Sequence, residues 1–316
     1  MARLSPVKLT PAFKDYLWGG TKLKTLYNKK SDLNIVAESW ELSAHKDGES
    51  VVADGQYKGL TLTQYINAVG NDILGINSEK FDYFPILIKF IDAHDALSVQ
   101  VHPDDKYALE HEGEYGKTEM WYILDCEQDA FLYYGFSRDI TKDEFTDAIK
   151  NNTLTDILNA VPVHKGDVFF IPSGTVHAIG AGIMICEIQQ NSNTTYRVYD
   201  YNRRDKNGKT RPLHIEQAIA VSNLSKAPDI ERISDTKHTV LAECEYFKVD
   251  KLTVKGCETI AVDQSSFLSL IVTEGNGKLT MNDESMDFTI GDSIFVPAQT
   301  GSISIEGDCT VILSQV

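Results

Sequence analysis

Four side chains in this sequence have types and spacing that suit a divalent cation. In LSVQVHPDD, Gln100 and His102 stand two apart in a β-pattern, so both leave one face of a strand, while Val99 and Val101 point the other way into a core. Glu119 opens the apolar run MWYIL, where an acid is costly unless charge or hydrogen bonds satisfy it. His177 follows the Pro-Gly turn of IPSGTVHAIG. Each has an ordinary reading by itself: a lone histidine is more often a satisfied surface or core residue than a ligand, and Gln100 alone reads as a strand-edge amide. Together, an amide oxygen, two imidazoles and a carboxylate make a mixed O/N set suited to a borderline divalent ion, Zn²⁺ first.

The elements that must position this set are mostly strands. Short β-branched and aromatic runs, among them ILIKFIDA, EMWYILDC, AFLYYGF, DVFFIP, IMICEIQQ, TYRVYDY, LSLIVTEG and DSIFVPA, are broken by Gly, Pro, Asn and Asp, the pattern of an all-β sandwich or barrel. Helical spacing interrupts it at 60–74, at 140–161 and at 211–224. The second stretch opens with Thr141 and Glu144 at capping-box spacing, and the third carries Pro212 where a first helical turn tolerates it. From about His238 the chain reads as β again. KGDVFFIPSGTVHAI and IGDSIFVPAQTGSIS also echo one another: Gly166-Asp167 aligns with Gly291-Asp292 and Pro172 with Pro297, but His177 aligns with Ser302. A repeat that keeps the turn and drops the ligand points to one working and one structural barrel; an accidental match of two turns is the alternative.

Bulk properties narrow the partners. A chain of 316 residues buries a substantial core, and 42% hydrophobic with 24% charged residues is ordinary for a globular protein. A formal charge of −16 excludes nucleic acid as the expected partner, because polyanion binding needs a clustered basic face. The start MARLSPVKLTPAFKDYLWGG shows no secretory h-region, and no apolar stretch approaches membrane-spanning length. Five scattered cysteines without a C-x-x-C pair read as thiols of a reducing compartment, so the expected location is cytoplasmic.

GDVFFIPSGTVH, with Gly166, Pro172, Gly174 and His177, fits the second cupin motif, and Gln100-x-His102 with Glu119 is similar to the first. QNSNTTYRVYDYNR at 190–203, with KFIDAHDALSVQVHPDD and YGKTEMWYIL, resembles the short bacterial type I mannose-6-phosphate isomerases, zinc cupin enzymes, from about residue 16 to the end. The resemblance implies two cupin-type jelly-roll barrels: residues 1–235 as the catalytic domain, with the helical insertion and connecting helix, and 236–316 as a degenerate barrel without metal. It implies one Zn²⁺ per chain held by Gln100, His102, Glu119 and His177, and interconversion of mannose 6-phosphate and fructose 6-phosphate in carbohydrate metabolism. Arg197 stands where the family carries its active-site arginine. Asn193 departs from the family's usual Asp, and Ala181 from the Asn of many cupins.

The chemistry of an aldose–ketose isomerisation agrees with that assignment, since the site must meet negative charge on oxygen and relay a proton. Arg197, always charged, suits the stabiliser better than the base. Lys117 shares the ligand's strand face and reaches the sugar or shuttles a proton, or else is a solvated turn lysine. Lys89 inside ILIKFI needs a partner or a cavity and is placed near the sugar. Ser98, on the face of Gln100, and Arg203, facing with Arg197 on a continuous strand, are expected at the phosphate; a charged loop with Asp205 is the alternative for Arg203. Trp18 and ESWELS, with Trp40 and Glu41, resemble segments packed near the barrel mouth and otherwise read as core. The partner is a small sugar phosphate, with no membrane and an oligomeric state of monomer or homodimer left open. Two other classes remain at this point: a metal-dependent cupin oxygenase and a non-catalytic sugar-phosphate-binding bicupin.

Overall fold

A computed structural model describes residues 4–316 other than 205, 206, 231, 235 and 283. In chain order the strands are β1 Val7–Thr10, β2 Ala12–Lys14, β3 Glu38–Leu42, β4 Val51–Val52, β5 Ile86–Ala93, β6 Val99–Val101, β7 Glu119–Cys126, β8 Phe131–Phe136, β9 Leu158–Pro162 and β10 Val168–Ile171. They continue as β11 His177–Ala178, β12 Ile183–Gln190, β13 Tyr196–Tyr199, β14 His238–Glu243, β15 Lys248–Val262, β16 Leu268–Met281, β17 Glu284–Thr289, β18 Ser293–Val296 and β19 Gly301–Gln315. The helices are α1 Lys22–Leu26, α2 Leu62–Val69, α3 Asp105–His111, α4 Lys142–Lys150 and α5 Ile215–Val221. The chain is mainly β, and among the described residues its strands form three sheets.

A six-stranded sheet runs β10-β7-β12-β5-β3-β2 and a five-stranded sheet runs β13-β6-β11-β8-β9. They face each other across a cluster that includes Trp121, Ile123, Leu132, Ile179 and Ile185. On the far side of the five-stranded sheet, Val99, Val101, Ala178 and Val198 pack on Phe145 and Ile149 of α4 and Ala218 of α5. On the far side of the six-stranded sheet, Ile88, Phe90, Met120 and Ile188 pack on Ile271, Phe295 and Ile312 of the third sheet and on Phe247 just before β15. Each such apolar side chain, fully buried, contributes roughly 1.5–3 kcal/mol, so the two inner sheets are held from outside as well as across the cluster they share.

The third, eight-stranded sheet runs β14-β15-β19-β16-β18-β1-β4, with β17 on β16. It takes in β1 and β4, so residues 7–10 and 51–52 are hydrogen-bonded into the sheet of the C-terminal strands.

The repeated turn is the same structure twice. Gly166 and Gly291 sit at φ 91° and 89°, a left-handed region open to glycine. Asp167 Oδ2 accepts from the His164 amide and Asp292 Oδ2 from the Thr289 amide, at 2.8 and 2.9 Å. Each turn also exchanges backbone bonds with a neighbouring strand, through Ile123 in one case and Val272 in the other. This agreement in dihedral and hydrogen bonding is more than an accidental match of turn residues.

Three helical expectations change. The stretch 60–74 is cut at Gly70, φ 113°, into α2 and a 3₁₀ turn Asn71–Leu74. Thr141 and Glu144 do form a capping box, but α4 ends at Lys150, and the rest of 140–161 is a 3₁₀ turn Leu154–Asp156 and β9. The third helix begins at Ile215 behind the cap His214, so Pro212 precedes it and is not in its first turn.

Candidate metal centre and substrate cavity

The two facing sheets bring distant residues into two rows. Across the five-stranded sheet, Arg197, Gln100, His177 and Tyr134 are successive register partners. Across the six-stranded sheet, Trp121, Glu187, Lys89 and Trp40 are likewise in line. Glu119 lies two residues from Trp121 on the same face of β7, and the rings of Trp121 and His177 meet edge-on at 5.3 Å. The turn before His177 is pinned from two sides: the Gly174 amide donates to His102 O at 2.8 Å and the Asn223 amide, just beyond α5, donates to Gly174 O at 2.8 Å. Gly174 is at φ 83°, and a Cβ there would lie 2.9 Å from Val221 O, which accounts for the Pro-x-Gly spacing.

His102, Glu119 and His177 converge between the sheets, with one ligand atom from each lying within 4.8 Å of the others. Glu119 Oε1 is 3.3 Å from His177 Nε2 and Oε2 is 3.7 Å from His102 Nε2. Both imidazoles are oriented from behind, His102 Nδ1 at 2.8 Å from Thr194 O and His177 Nδ1 at 2.9 Å from Thr175 O. A carbonyl can only accept, so each Nδ1 carries the proton and each Nε2 turns a lone pair to the centre. Burial holds both histidines below their ordinary pKa, His177 at about 4, which keeps them neutral as ligands must be.

His102 Nε2 and both Glu119 oxygens are buried without a hydrogen-bond partner. Lys117 Nζ meets Glu119 Oε2 at 2.6 Å as an ion pair, so His102 Nε2 and Glu119 Oε1 are the lone pairs left without any partner. Buried lone pairs left without a partner cost about 1–3 kcal/mol each unless something is bound there. Two imidazole nitrogens and a carboxylate fit a divalent cation of the zinc class, so the donor set and the orphaned atoms agree. Gln100 Nε2 is 3.4 Å from His177 Nε2, and a half-turn of that amide presents Oε1 there without moving another atom.

Above the triad opens a cavity of about 290 Å³, lined among others by Tyr16, Trp18, Lys89, Gln100, Lys117 and Arg197. Larger hollows lie elsewhere, of about 570 and 640 Å³, but neither contains a cluster of buried charges; chemistry, not size, selects this one. Lys89 is 4% exposed, 3.4 Å from Glu187 and 3.8 Å from Glu38, and lies over the Trp40 ring at 4.9 Å. Trp121 and Trp40 donate their indole N–H groups to Glu187 and Glu38. Lys117, also 4% exposed, is not a solvated turn lysine: it reaches Glu187 at 3.6 Å as well as Glu119.

Electrostatics here is collective. Burial opposes charge on Glu119, and Glu187 adds repulsion, so its pKa is raised. Burial opposes charge on Glu187 too, but Lys117 and Lys89 outweigh it and hold its pKa down. Burial pulls Lys117 down, and Glu119 and Glu187 outweigh that, leaving the ammonium above its usual value. The excess of repulsion falls on Glu119, where a bound cation would relieve it.

Arg197 donates from Nε to Ser98 Oγ at 3.3 Å and from Nη1 to Pro212 O at 3.1 Å, and both Arg197 and Ser98 line the cavity. Arg203 does not join them. The strand stops at Tyr199, and Tyr201 and Asn202, at φ 53° and 55°, turn the chain away, so the continuous strand expected between the two arginines is absent. Arg203 instead meets Asp200 and Ala96 O and lines a neighbouring hollow of about 240 Å³. Asp205 lies outside the described residues. Trp18 and Trp40 are buried beside the cavity, whereas Glu41 lies on the opposite face of β3, bonded to Lys29. Asn193 lines the cavity and donates to Asp47 Oδ2 at 2.9 Å.

The residues that sequence reasoning passed over are Glu38, Glu187, Asp200 and Arg211. Glu187 carried the signal that exposed Lys89: a charge inside an apolar run, IMICEIQQ. The comparisons with known proteins now decide the family. The sequence pattern of the phosphomannose isomerase type I catalytic domain matches residues 7–152, and that of the mannose-6-phosphate isomerase cupin domain matches 236–316. Mannose-6-phosphate isomerase ManA of Bacillus subtilis is 41% identical over 98% of this chain and 99% of its own length. The chain belongs to the type I phosphomannose isomerase family.

The Streptococcus mutans mannose-6-phosphate isomerase, 39% identical over 98% of each chain, is a further relative. Among solved structures, that of the mannose 6-phosphate isomerase from Bacillus subtilis superposes with TM-score 0.91 at 38% identity, covering 99% of this chain and all of the other. Among the described residues, no helix is long and apolar enough to cross a membrane.

Proposed function

We propose that this chain is a cytoplasmic, metal-dependent isomerase that interconverts mannose 6-phosphate and fructose 6-phosphate. The observation that carries the reading is the juxtaposition of His102, Glu119 and His177, with orphaned lone pairs, beneath a cavity walled by Lys117, Lys89, Glu187 and Arg197. Relatives that match nearly the whole chain are named mannose-6-phosphate isomerases, which supports the reading.

His102 Nε2, His177 Nε2, Glu119 and Gln100 Oε1 hold one Zn²⁺ in this reading. The bound ion supplies Lewis acidity toward a substrate oxygen. Arg197, fixed by Ser98 and Pro212, faces the charge that develops on the sugar oxygens during proton transfer between C1 and C2. Lys117, held as an ammonium by two carboxylates, rests as the proton donor and takes the proton back in the reverse direction. Lys89, between Glu187 and Glu38, positions sugar hydroxyls, and Ser98 donates to the phosphate, with Arg203 supporting that end from behind.

An oxygenase reading has the same ligand types, but three half-buried arginines beside the cavity, in a chain of formal charge −16, favour an anionic substrate. A merely binding protein is separated by turnover. Purified chain is assayed with mannose 6-phosphate, then chelated, then given back Zn²⁺. Loss and return of fructose 6-phosphate formation supports the reading; full activity in chelator, or none in the Zn²⁺-loaded chain, overturns it.

A further inference from the structure

Beyond β13 the chain builds a cluster that the metal centre does not use. Arg211 grips the Asp200 carboxylate with two parallel bonds, Nε to Oδ2 at 2.8 Å and Nη2 to Oδ1 at 2.6 Å. Arg203 donates to the same carboxylate, from Nε to Oδ1 at 3.1 Å, and to Ala96 O at 2.6 Å. Asp200 is 5% exposed and therefore has no freedom to follow a moving partner. Arg211 lines both the substrate cavity and the neighbouring hollow, and Arg203 only the latter. Arg197 lines the cavity too, and its neighbour Pro212 follows Arg211 in the chain. Two guanidinium groups thus share one buried carboxylate, with Arg197 close by; Asp15 is the other acid of the neighbouring hollow, and Glu38 and Glu187 in the cavity are paired with Lys89.

A guanidinium has five donors in a fixed fork, and a bidentate bond to carboxylate uses one edge while leaving the rest aimed in a set direction. We infer that Asp200 is a positioning residue that aims Arg211 into the cavity, where Arg211 receives a phosphate-type dianion while Arg203 braces Asp200 from the neighbouring hollow. The assignment rests on the sugar-phosphate reading only for what the dianion is attached to. Arg211, not Arg203, is the second guanidinium that touches the ligand, which moves the anion-reading role from the residue that strand spacing favoured to one on the far side of a turn. The excess of positive charge at this one place is what a chain of overall negative charge needs to admit an anion.

The test uses the metal-loaded full chain and two probes, inorganic phosphate followed by calorimetry and mannose 6-phosphate followed by turnover. Arg211→Ala and Asp200→Asn are each expected to weaken phosphate binding about 10- to 100-fold, the loss of one charge-assisted contact, and to place their kinetic effect on KM more than on kcat. Because Asp200 acts through Arg211, adding Asp200→Asn to Arg211→Ala should weaken phosphate less than threefold further. Should Asp200→Asn not yield folded protein, Asp200→Glu, which displaces the carboxylate by one methylene, is read the same way. Phosphate affinity within threefold of wild type in either single variant overturns the inference, as does an additive double variant or a loss confined to kcat. Wild-type chain that binds phosphate as stated but does not isomerise mannose 6-phosphate overturns the isomerase reading and leaves this one standing.

Discussion

Gln100 and His177 are register partners on adjacent antiparallel strands, with Gln100 Nε2 3.4 Å from His177 Nε2, although 77 positions separate them in the chain. The pairing sets the spacing of these two candidate ligands through the backbone of adjacent strands. Replacing one ligand should therefore empty the metal centre without disturbing the sheet. In His177→Ala, metal measured by elemental analysis is expected to fall from about one ion per chain to a small fraction of that, with the circular dichroism of the β-fold retained. Full metal occupancy in this variant would falsify the ligand assignment.

Arg197→Ala separates chemistry from metal binding. Arg197 bonds Ser98 and Pro212 and none of the triad, so the variant should keep its metal. Removing a preorganised donor aimed at developing charge typically costs about 10²–10³ in kcat. Turnover near wild-type, with metal bound, removes Arg197 from the stabilising role.

A second buried charge pair fastens the six-stranded sheet to the repeated turn of the third sheet. Lys29 Nζ is 2.6 Å from Glu41 Oε2 and also donates to Gly291 O, while Ser39 Oγ donates to Glu41 Oε1 at 2.6 Å. Glu41 is fully buried, and burial raises its pKa against the pull of Lys29. Removing one partner strands the other, so Glu41→Ala should cost about 3–5 kcal/mol and lower the Tm by several degrees. A Tm within a degree of wild type shows that the pair contributes little.

Stability of the metal-free chain should depend on pH through the neutral histidines. His177 has its folded pKa held at about 4 by burial, below the ordinary 6.5. The unfolded chain binds that proton between pH 6.5 and 4 and the folded chain does not, so stability is full above pH 6.5 and declines as pH falls to 4, by up to about 3 kcal/mol. Denaturant unfolding of chelated protein at pH 7.5 and 5 checks the sign: less stability at pH 5 in wild type, and a smaller change in His177→Ala.

Much of the site was legible along the chain because its strands obey a period of two. Gln100 and His102 were placed on one face by that period, and Glu119 and Lys89 stood out because charge inside an apolar run demands a partner. The Gly166-Asp167 and Gly291-Asp292 echo was likewise visible, since a left-handed turn narrows the choice of residue. Helix lengths were less legible, because in 140–161 the hydrophobic spacing of α4 continues past Lys150 into a 3₁₀ turn and β9.

The order of residues thus determined the mainly β character, the ligand candidates and the turns, all of which depend on local periodicity and backbone preference. Which charges meet was decided only by tertiary structure. Lys89 and Glu187 are opposite each other because β5 and β12 pair in one register, and a shift of a single residue would have turned one of them to the other face. Arg211 replaced Arg203 at the cavity because two residues of positive φ after Tyr199 redirect the chain, a local bend whose consequence appears only once Asp200 is buried beneath it.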